Sequence, residues 1–289
     1  MKREGVEEIS RETLDKENAL IKRLQSLQNV LLAFSGGTDS AYLMAVAREA
    51  LGEKCRAVFV RSALVSSREE EEALNLGRRY DWPLELLETD LLALKEVREN
   101  LNDRCYHCKK KIFEAIIDHV RQTSDFRTYG SESEAALIEG TNASDAGEYR
   151  PGRKALQELG ILSPLLEAGL TKKEIRALSK ARDLPTWDKP AMACLATRIP
   201  FGELISAELL QKIERAEAGL REKGYPECRV RAHGEIARIE IPEAVLPAFL
   251  EIREDVTLAL ASLGFRYITL DLSGLRSGSL NPVKQEDLG

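Results

Sequence analysis

The apolar runs in the first part of the chain are short and continuous, and a stretch with helical spacing follows most of them. Val30-Leu31-Leu32-Ala33-Phe34 reads as a buried strand, and Ala41 to Leu51, rich in Ala, Leu and Met, as a helix. Arg56 to Val60 reads as a second strand. Ser66-Ser67-Arg68-Glu69-Glu70 then opens a helix to about Tyr80, with carboxylates where the positive end of the helix dipole favours them. Pro83 to Glu88 and Leu137-Ile138-Glu139 read as further strands, and residues 1–28 as a charged helix with Leu20, Ile21, Leu24 and Leu27 on one face. This alternation predicts an α/β fold: a parallel sheet with helices on both faces. Ligands of such sheets bind at the C-terminal ends of the strands.

The pattern changes near Phe201. Ser206 to Lys223 reads as a helix, and Cys228 to Ala232 and Glu235 to Ile241 as a hairpin around His233-Gly234. Glu243 to Leu263 reads as one long helix and Phe265 to Leu272 as a last strand. The expected organisation is a domain over 1–200, whose first 28 residues are the N-terminal helix, and a smaller C-terminal α+β domain over 201–289.

Ser35-Gly36-Gly37-Thr38-Asp39-Ser40 lies between the first strand and its helix. Free N–H groups and the positive end of the helix dipole converge there, a geometry that binds phosphate. Gly36 and Gly37 let the backbone approach an anion, and Ser35 and Ser40 add hydroxyl donors. Asp39 beside a phosphate requires a cation or a buried donor. No Lys follows the glycines, so this is not a Walker A loop. Gly140-Thr141-Asn142-Ala143-Ser144-Asp145 is a second small-residue turn after a strand, and Arg150 beyond it is a candidate phosphate clamp. Thr171-Lys172-Lys173-Glu174 is a capping box, read as structural.

Cysteine adds candidate chemistry. The chain has 289 residues and five cysteines, too few for a disulfide framework. Cys105 and Cys108 form a C-x-x-C at the start of an amphipathic helix, which suits redox, zinc or iron–sulfur ligation, or two buried structural thiols. Cys194 lies in a long aperiodic segment with Arg198 four residues on, the pattern of a thiolate beside a cation or, equally, of a small buried residue. Arg229, Arg231 and Arg238 lie on the hairpin and Arg276 follows the last strand, a face that suits a ligand phosphate, a subunit contact or plain solvation. The net charge of −6 argues against bulk nucleic-acid binding. No apolar run approaches a transmembrane length, and the charged start has no signal-peptide character, so no membrane association and a cytoplasmic setting are expected.

Ser-Gly-Gly-x-Asp-Ser after the first strand and Gly-Thr-Asn-x-x-Asp later resemble the PP-loop ATP pyrophosphatases, the adenine nucleotide alpha hydrolase-like fold. Tyr149-Arg150-Pro151-Gly152, Ser163-Pro164-Leu165, Thr186-Trp187-Asp188-Lys189-Pro190, Ala193-Cys194-Leu195 and the ending Asp271 to Asn281 resemble, within that group, the LarE family. The likeness spans about Val30 to Asn281. It implies an ATP-dependent sulfur transferase of nickel-pincer nucleotide synthesis, the route to the lactate racemase cofactor. The implied substrate is a small nucleotide, pyridinium-3,5-biscarboxylic acid mononucleotide. Ser35, Gly36, Gly37, Thr38 and Ser40 would then hold pyrophosphate, and Asp39 would orient Mg²⁺ or the loop. Gly140, Thr141, Asn142, Asp145 and Arg150 would complete the ATP site, and Arg229, Arg231 or Arg276 would take the substrate phosphate. The resemblance also implies Glu217 and Glu240 as ligands for a divalent cation. Sulfur would come from Cys194 itself, or through a 4Fe-4S cluster on Cys105, Cys108 and Cys194, as in three-cysteine members. A homo-oligomer, specifically a hexamer, is implied too. A PP-loop tRNA thiolase and an amide-forming PP-loop ligase are the alternatives. The acidic charge and the lack of a recognisable RNA-binding domain stand against the first, and the three cysteines against the second.

Overall fold

The computed structural model describes residues 9–122, 135–147, 151–190 and 193–276. Arg150 and the ending from Ser277 onward lie outside the described residues. Contacts divide the chain into two units, Met1–Asp90 with Cys105–Met192, and Leu91–Arg104 with Ala193–Gly289.

In the first unit, α1 (Arg11–Leu27) is followed by β1 (Val30–Ala33), α2 (Thr38–Leu51), β2 (Cys55–Arg61), α3 (Ser67–Arg79) and β3 (Leu84–Glu88). The chain then gives α4 (Lys95–Arg98) to the second unit and returns for α5 (Arg104–Gln122), β4 (Ala136–Ile138), α6 (Gly152–Glu158), α7 (Pro164–Glu167) and α8 (Lys172–Ala181). The four strands are parallel in the order β3-β2-β1-β4. Their apolar runs are continuous because both faces are covered. Val30, Leu32, Ala57 and Phe59 pack with Leu20, Leu24, Leu43, Met44, Ile175 and Leu178, from α1, α2 and α8. Leu31 and Val58 point the other way, to Phe113, Ile116, Leu156 and Ile161 of α5, α6 and the turn after it. The expected parallel sheet with helices on both faces is therefore observed.

In the second unit α9 (Ala207–Glu222) precedes β5 (Arg229–His233) and β6 (Ile236–Glu240), an antiparallel hairpin. The long helix expected over Glu243–Leu263 is not one helix. It is a short turn followed by α10 (Leu246–Glu251) and α11 (Arg253–Ser262), broken at Ile252, whose φ of −101° and ψ of 14° leave helical geometry. Pro247 starts α10, and Glu254 and Asp255 make a new dipole-favoured first turn for α11. β7 (Tyr267–Leu270) then pairs parallel to β6, giving the order β5-β6-β7. Residues 91–104 and 193–200 pack with this second unit; Asn100 Nδ2, for example, donates to the carbonyls of Ile199 and Pro200 at 3.1 and 2.6 Å.

Candidate active site

The glycine loop leaves β1 at its C-terminal end and enters α2, whose N-cap is Gly37. Gly36 has φ +69°, and a Cβ there would lie 2.9 Å from the Ala73 Cβ on α3, so only glycine fits. The loop is cross-braced. Ser35 and Ser40 hydroxyls lie 3.0 Å apart, Ser40 also donates to the Gly37 carbonyl at 3.2 Å, and Thr38 donates to the Thr186 carbonyl at 2.7 Å. Lys189 donates to the Gly36 carbonyl at 2.9 Å and pairs with Glu72 at 2.8 Å. The segment Thr186 to Lys189 is thus anchored to the glycine loop.

The second turn comes to the same place. Its Gly140 sits where a Cβ would lie 3.2 Å from the Ser40 amide nitrogen. Asn142 N–H donates to Asp145 at 3.1 Å, Ser144 N–H donates to the Asn142 side chain at 2.9 Å, and Thr141 and Asn142 are buried. The structure therefore gathers Ser35, Gly36, Gly37, Thr38, Asp39, Ser40, Gly140, Thr141, Asn142 and Asp145 at the C-terminal ends of β1 and β4.

Asp39 is the charged centre of this group. One oxygen accepts from Lys172 at 2.7 Å, while the other is buried and accepts no hydrogen bond among the described residues. Burial pushes the carboxyl above its ordinary value; Lys172 and, more weakly, the nearby Asn142 side chain oppose this, and Asp145 adds to it. A buried carboxylate oxygen without a donor, beside a phosphate-binding turn, fits a divalent cation carried in with a nucleotide. The capping box at Thr171–Glu174 forms as expected, yet Lys172 is more than structural: it reaches Asp39 from the first residue of α8.

The five cysteines separate by environment. Cys55 and Cys228 are fully buried, and burial pushes their thiols up to about 12 and about 11. They rest against Met44 Sδ at 3.8 Å and the Glu217 carbonyl at 3.6 Å, the surroundings of inert core thiols. Cys105 is exposed in the first turn of α5, Cys108 is half-buried at the start of its second turn, and Cys194 is half-buried in the second unit. Among the described residues no group of three or more His, Cys, Asp or Glu side chains is gathered to hold a metal ion.

Arg198 is buried. It pairs with Glu217 at 2.9 and 3.3 Å and donates to the carbonyls of Ala193 and Cys194 at 2.6 and 3.3 Å. Arg231 donates to the Thr197 carbonyl at 2.6 Å and to Glu240 at 2.8 Å, and Arg238 reaches the same carboxylate at 3.0 Å. Glu217 and Glu240 are thus both committed to arginines. Arg229 differs: its guanidinium donates to the Cys228 carbonyl at 2.8 Å. Burial and then the nearby Arg198 press it below its ordinary value, with Arg231 adding and Glu217 opposing. Arg276 is exposed at the end of the second unit.

Two glycine turns on adjacent parallel strands, one continuing into a helix and both meeting at Ser40, define a PP-loop α/β enzyme. The chain is 36% identical over 267 residues to the pyridinium-3,5-bisthiocarboxylic acid mononucleotide synthase of Lactiplantibacillus plantarum, covering 92% of this chain and 94% of that protein. It belongs to the LarE family of ATP-dependent sulfur transferases. It is also 37% identical over 262 residues to an uncharacterized protein of Synechocystis sp., covering 89% and 93% of the two chains. A GMP synthase of Streptococcus equi subsp. zooepidemicus is 28% identical over 73% of this chain and 42% of its own length. No protein-family model matches the chain. No described helix is long and apolar enough to cross a membrane.

Reading the sequence missed Lys172 and Lys189 as parts of the site. Lys189 lies within the Trp187-Asp188-Lys189-Pro190 run, but no spacing links it to Gly36, from which it is separated by 153 residues.

Proposed function

We propose that this chain uses ATP to adenylate a carboxylate of pyridinium-3,5-biscarboxylic acid mononucleotide and converts it to a thiocarboxylate. The observation that carries the reading is the buried, unpartnered oxygen of Asp39 between two glycine turns. A carboxylate is a poor electrophile because its oxygen is a poor leaving group. Attack of that oxygen on the α-phosphorus expels pyrophosphate and makes an acyl-adenylate, from which AMP leaves readily. Loop N–H groups and the hydroxyls of Ser35 and Ser40 bind the departing pyrophosphate, Asp39 would hold the Mg²⁺ that accompanies ATP and offsets phosphate charge, and Lys172 neutralises charge once drawn from Asp39. A sulfur nucleophile then attacks the acyl carbon and displaces AMP.

Sulfur delivery rests on the three accessible cysteines, while the two buried ones are excluded by burial. A 4Fe-4S cluster on Cys105, Cys108 and Cys194 would supply transferable sulfide from the iron left without a protein thiolate. A second reading needs only Cys194, which is half-buried and whose carbonyl accepts from Arg198. In it Cys194 forms the thioester itself; loss of its Cα proton and cleavage of Cβ–S release the thiocarboxylate and leave dehydroalanine. Anaerobic turnover with excess sulfide, followed by intact mass, separates the two. Several turnovers with Cys194 unmodified are expected from the cluster. One turnover per chain with dehydroalanine at 194 is expected from sacrifice. AMP formation with no sulfur in the product would sink both.

Arg229 is the residue best suited to the substrate phosphate, because its guanidinium is desolvated and its hydrogen bond goes to a main-chain carbonyl. A charge-assisted contact contributes about 1.5–3 kcal/mol, so Arg229→Ala should raise the KM for the nucleotide about tenfold or more. Unchanged KM in Arg229→Ala, Arg231→Ala and Arg276→Ala alike would make this face structural. Self-association is part of the reading.

A further inference from the structure

Glu139 and Lys109 have no part in the reaction described above, yet they stand between its two kinds of chemistry. Glu139 follows β4 and is only 6% exposed. It accepts from the Thr141 N–H at 3.0 Å, the Thr141 hydroxyl at 2.8 Å, the Ser163 hydroxyl at 2.6 Å and the Lys109 ammonium at 3.1 Å. Burial alone would push its carboxyl up; Lys109, Ser163 and Thr141 outweigh burial and hold it below its ordinary value. The carboxylate is therefore charged, buried and fully engaged.

Each end of this pair leads somewhere. Lys109 follows Cys108 directly and lies one helical turn beyond Cys105, so it shares a face with Cys105. Its stem is closely packed. A Cβ on Gly152 would lie 3.0 Å from the Lys109 Cδ and 3.5 Å from the Cys105 carbonyl oxygen. At the other end, the two bonds from Thr141 to Glu139 close the turn through Gly140. That glycine backs onto the Ser40 amide, inside the first turn of α2. A continuous path thus runs from the thiol pair through Lys109, Glu139 and Gly140 to the glycine loop, all within the first unit.

We propose that Lys109 is a positioning residue that, through Glu139, couples the Cys105–Cys108 pair to occupancy of the glycine loop by an adenine nucleotide. The proposal rests on the ATP reading above. Sulfur released before the adenylate exists is wasted, and a lysine that either stays on Glu139 or leaves it gives the thiol pair a signal that nucleotide is bound. Coupling of this kind is reciprocal, so the state of the thiols also biases nucleotide affinity.

The test measures alkylation of Cys105 and Cys108 by iodoacetamide in the full chain, resolved by peptide mass. It is run with and without Mg²⁺ and α,β-methylene-ATP, with binding of the same nucleotide followed by calorimetry. In the wild type, bound nucleotide is expected to change both alkylation rates about fivefold or more. In Lys109→Met the nucleotide should still bind with nearly the same affinity, but the change in alkylation should disappear. Lys109→Gln, which keeps the stem and a donor, guards against misfolding of the first variant and should show a reduced response. Wild-type rates that ignore bound nucleotide, or a full response in both variants, would overturn the coupling and leave the ATP reading intact. No nucleotide binding by the wild type would overturn both.

Discussion

Asp39→Ala is expected to lower pyrophosphate release from ATP by about 10²–10³-fold, the effect of removing one preorganised electrostatic group from a reacting centre. The carboxylate lies in the loop, with one oxygen on Lys172 and the other buried and unpaired. On the proposed reading, the Mg²⁺ that would accompany ATP loses Asp39 as a ligand. Lys172 loses its partner too, but it is about one-third exposed and can turn to water. The fold should therefore survive, and the melting temperature should shift little. Asp39→Asn should be nearly as inactive, since it keeps the shape and loses the charge. Ser35→Ala should cost less, because the Ser40 hydroxyl remains on the Gly37 carbonyl. The assay is pyrophosphate and AMP formation with Mg²⁺ and the biscarboxylic nucleotide present. Activity of Asp39→Ala within about threefold of wild type would remove Asp39 from the reaction, and ADP as product would remove the PP-loop chemistry altogether.

What the sequence carried, and what it did not, divides along the range of the interactions. β1, the glycine loop and α2 were readable because strand, turn and helix signals follow one another within 22 residues, Val30 to Leu51. The capping box at Thr171 was readable for the same reason. The break at Ile252 was not, since apolar spacing runs through it. The signal was the acidic first turn, Glu254-Asp255, which resets the helix. Lys172 was read as a helix start because its partner Asp39 is 133 residues away. The separation of five cysteines into two inert and three accessible ones is a matter of burial, which spacing does not encode. The same holds for Arg229 against Arg231. They are alike in sequence, and the register even sets Glu240 opposite Arg229 and Arg238 opposite Arg231, yet Arg231 reaches the buried Glu240 diagonally while Arg229 donates to a main-chain carbonyl.

Arg198→Ala should be the most damaging single change in the second unit, and the damage should be structural first. The motif suggests a cation for the Cys194 thiolate. In the structure the guanidinium is spent on Glu217 and on the carbonyls of Ala193 and Cys194. The side chains of Arg198 and Glu217 are 6% and 4% exposed, so removing one strands the other. Glu217 keeps the Val230 N–H at 3.1 Å and Arg221 at a longer 3.6 Å, which soften the loss without cancelling it. Breaking a buried pair in this way costs about 3–5 kcal/mol. At about 4 °C per kcal/mol for a unit of this size, the second unit should melt roughly 12–20 °C lower. Glu217→Gln should cost less, since an amide oxygen still accepts from Arg198 and Val230. The double variant Arg198→Ala/Glu217→Ala should be more stable than the sum of its two single changes implies, because the stranded charge is gone. Calorimetric scans of the four proteins supply the cycle. Additive losses would mean that the pair is not what holds the Cys194 segment. A normal melting temperature in Arg198→Ala with sulfur transfer abolished would return Arg198 to the reaction itself.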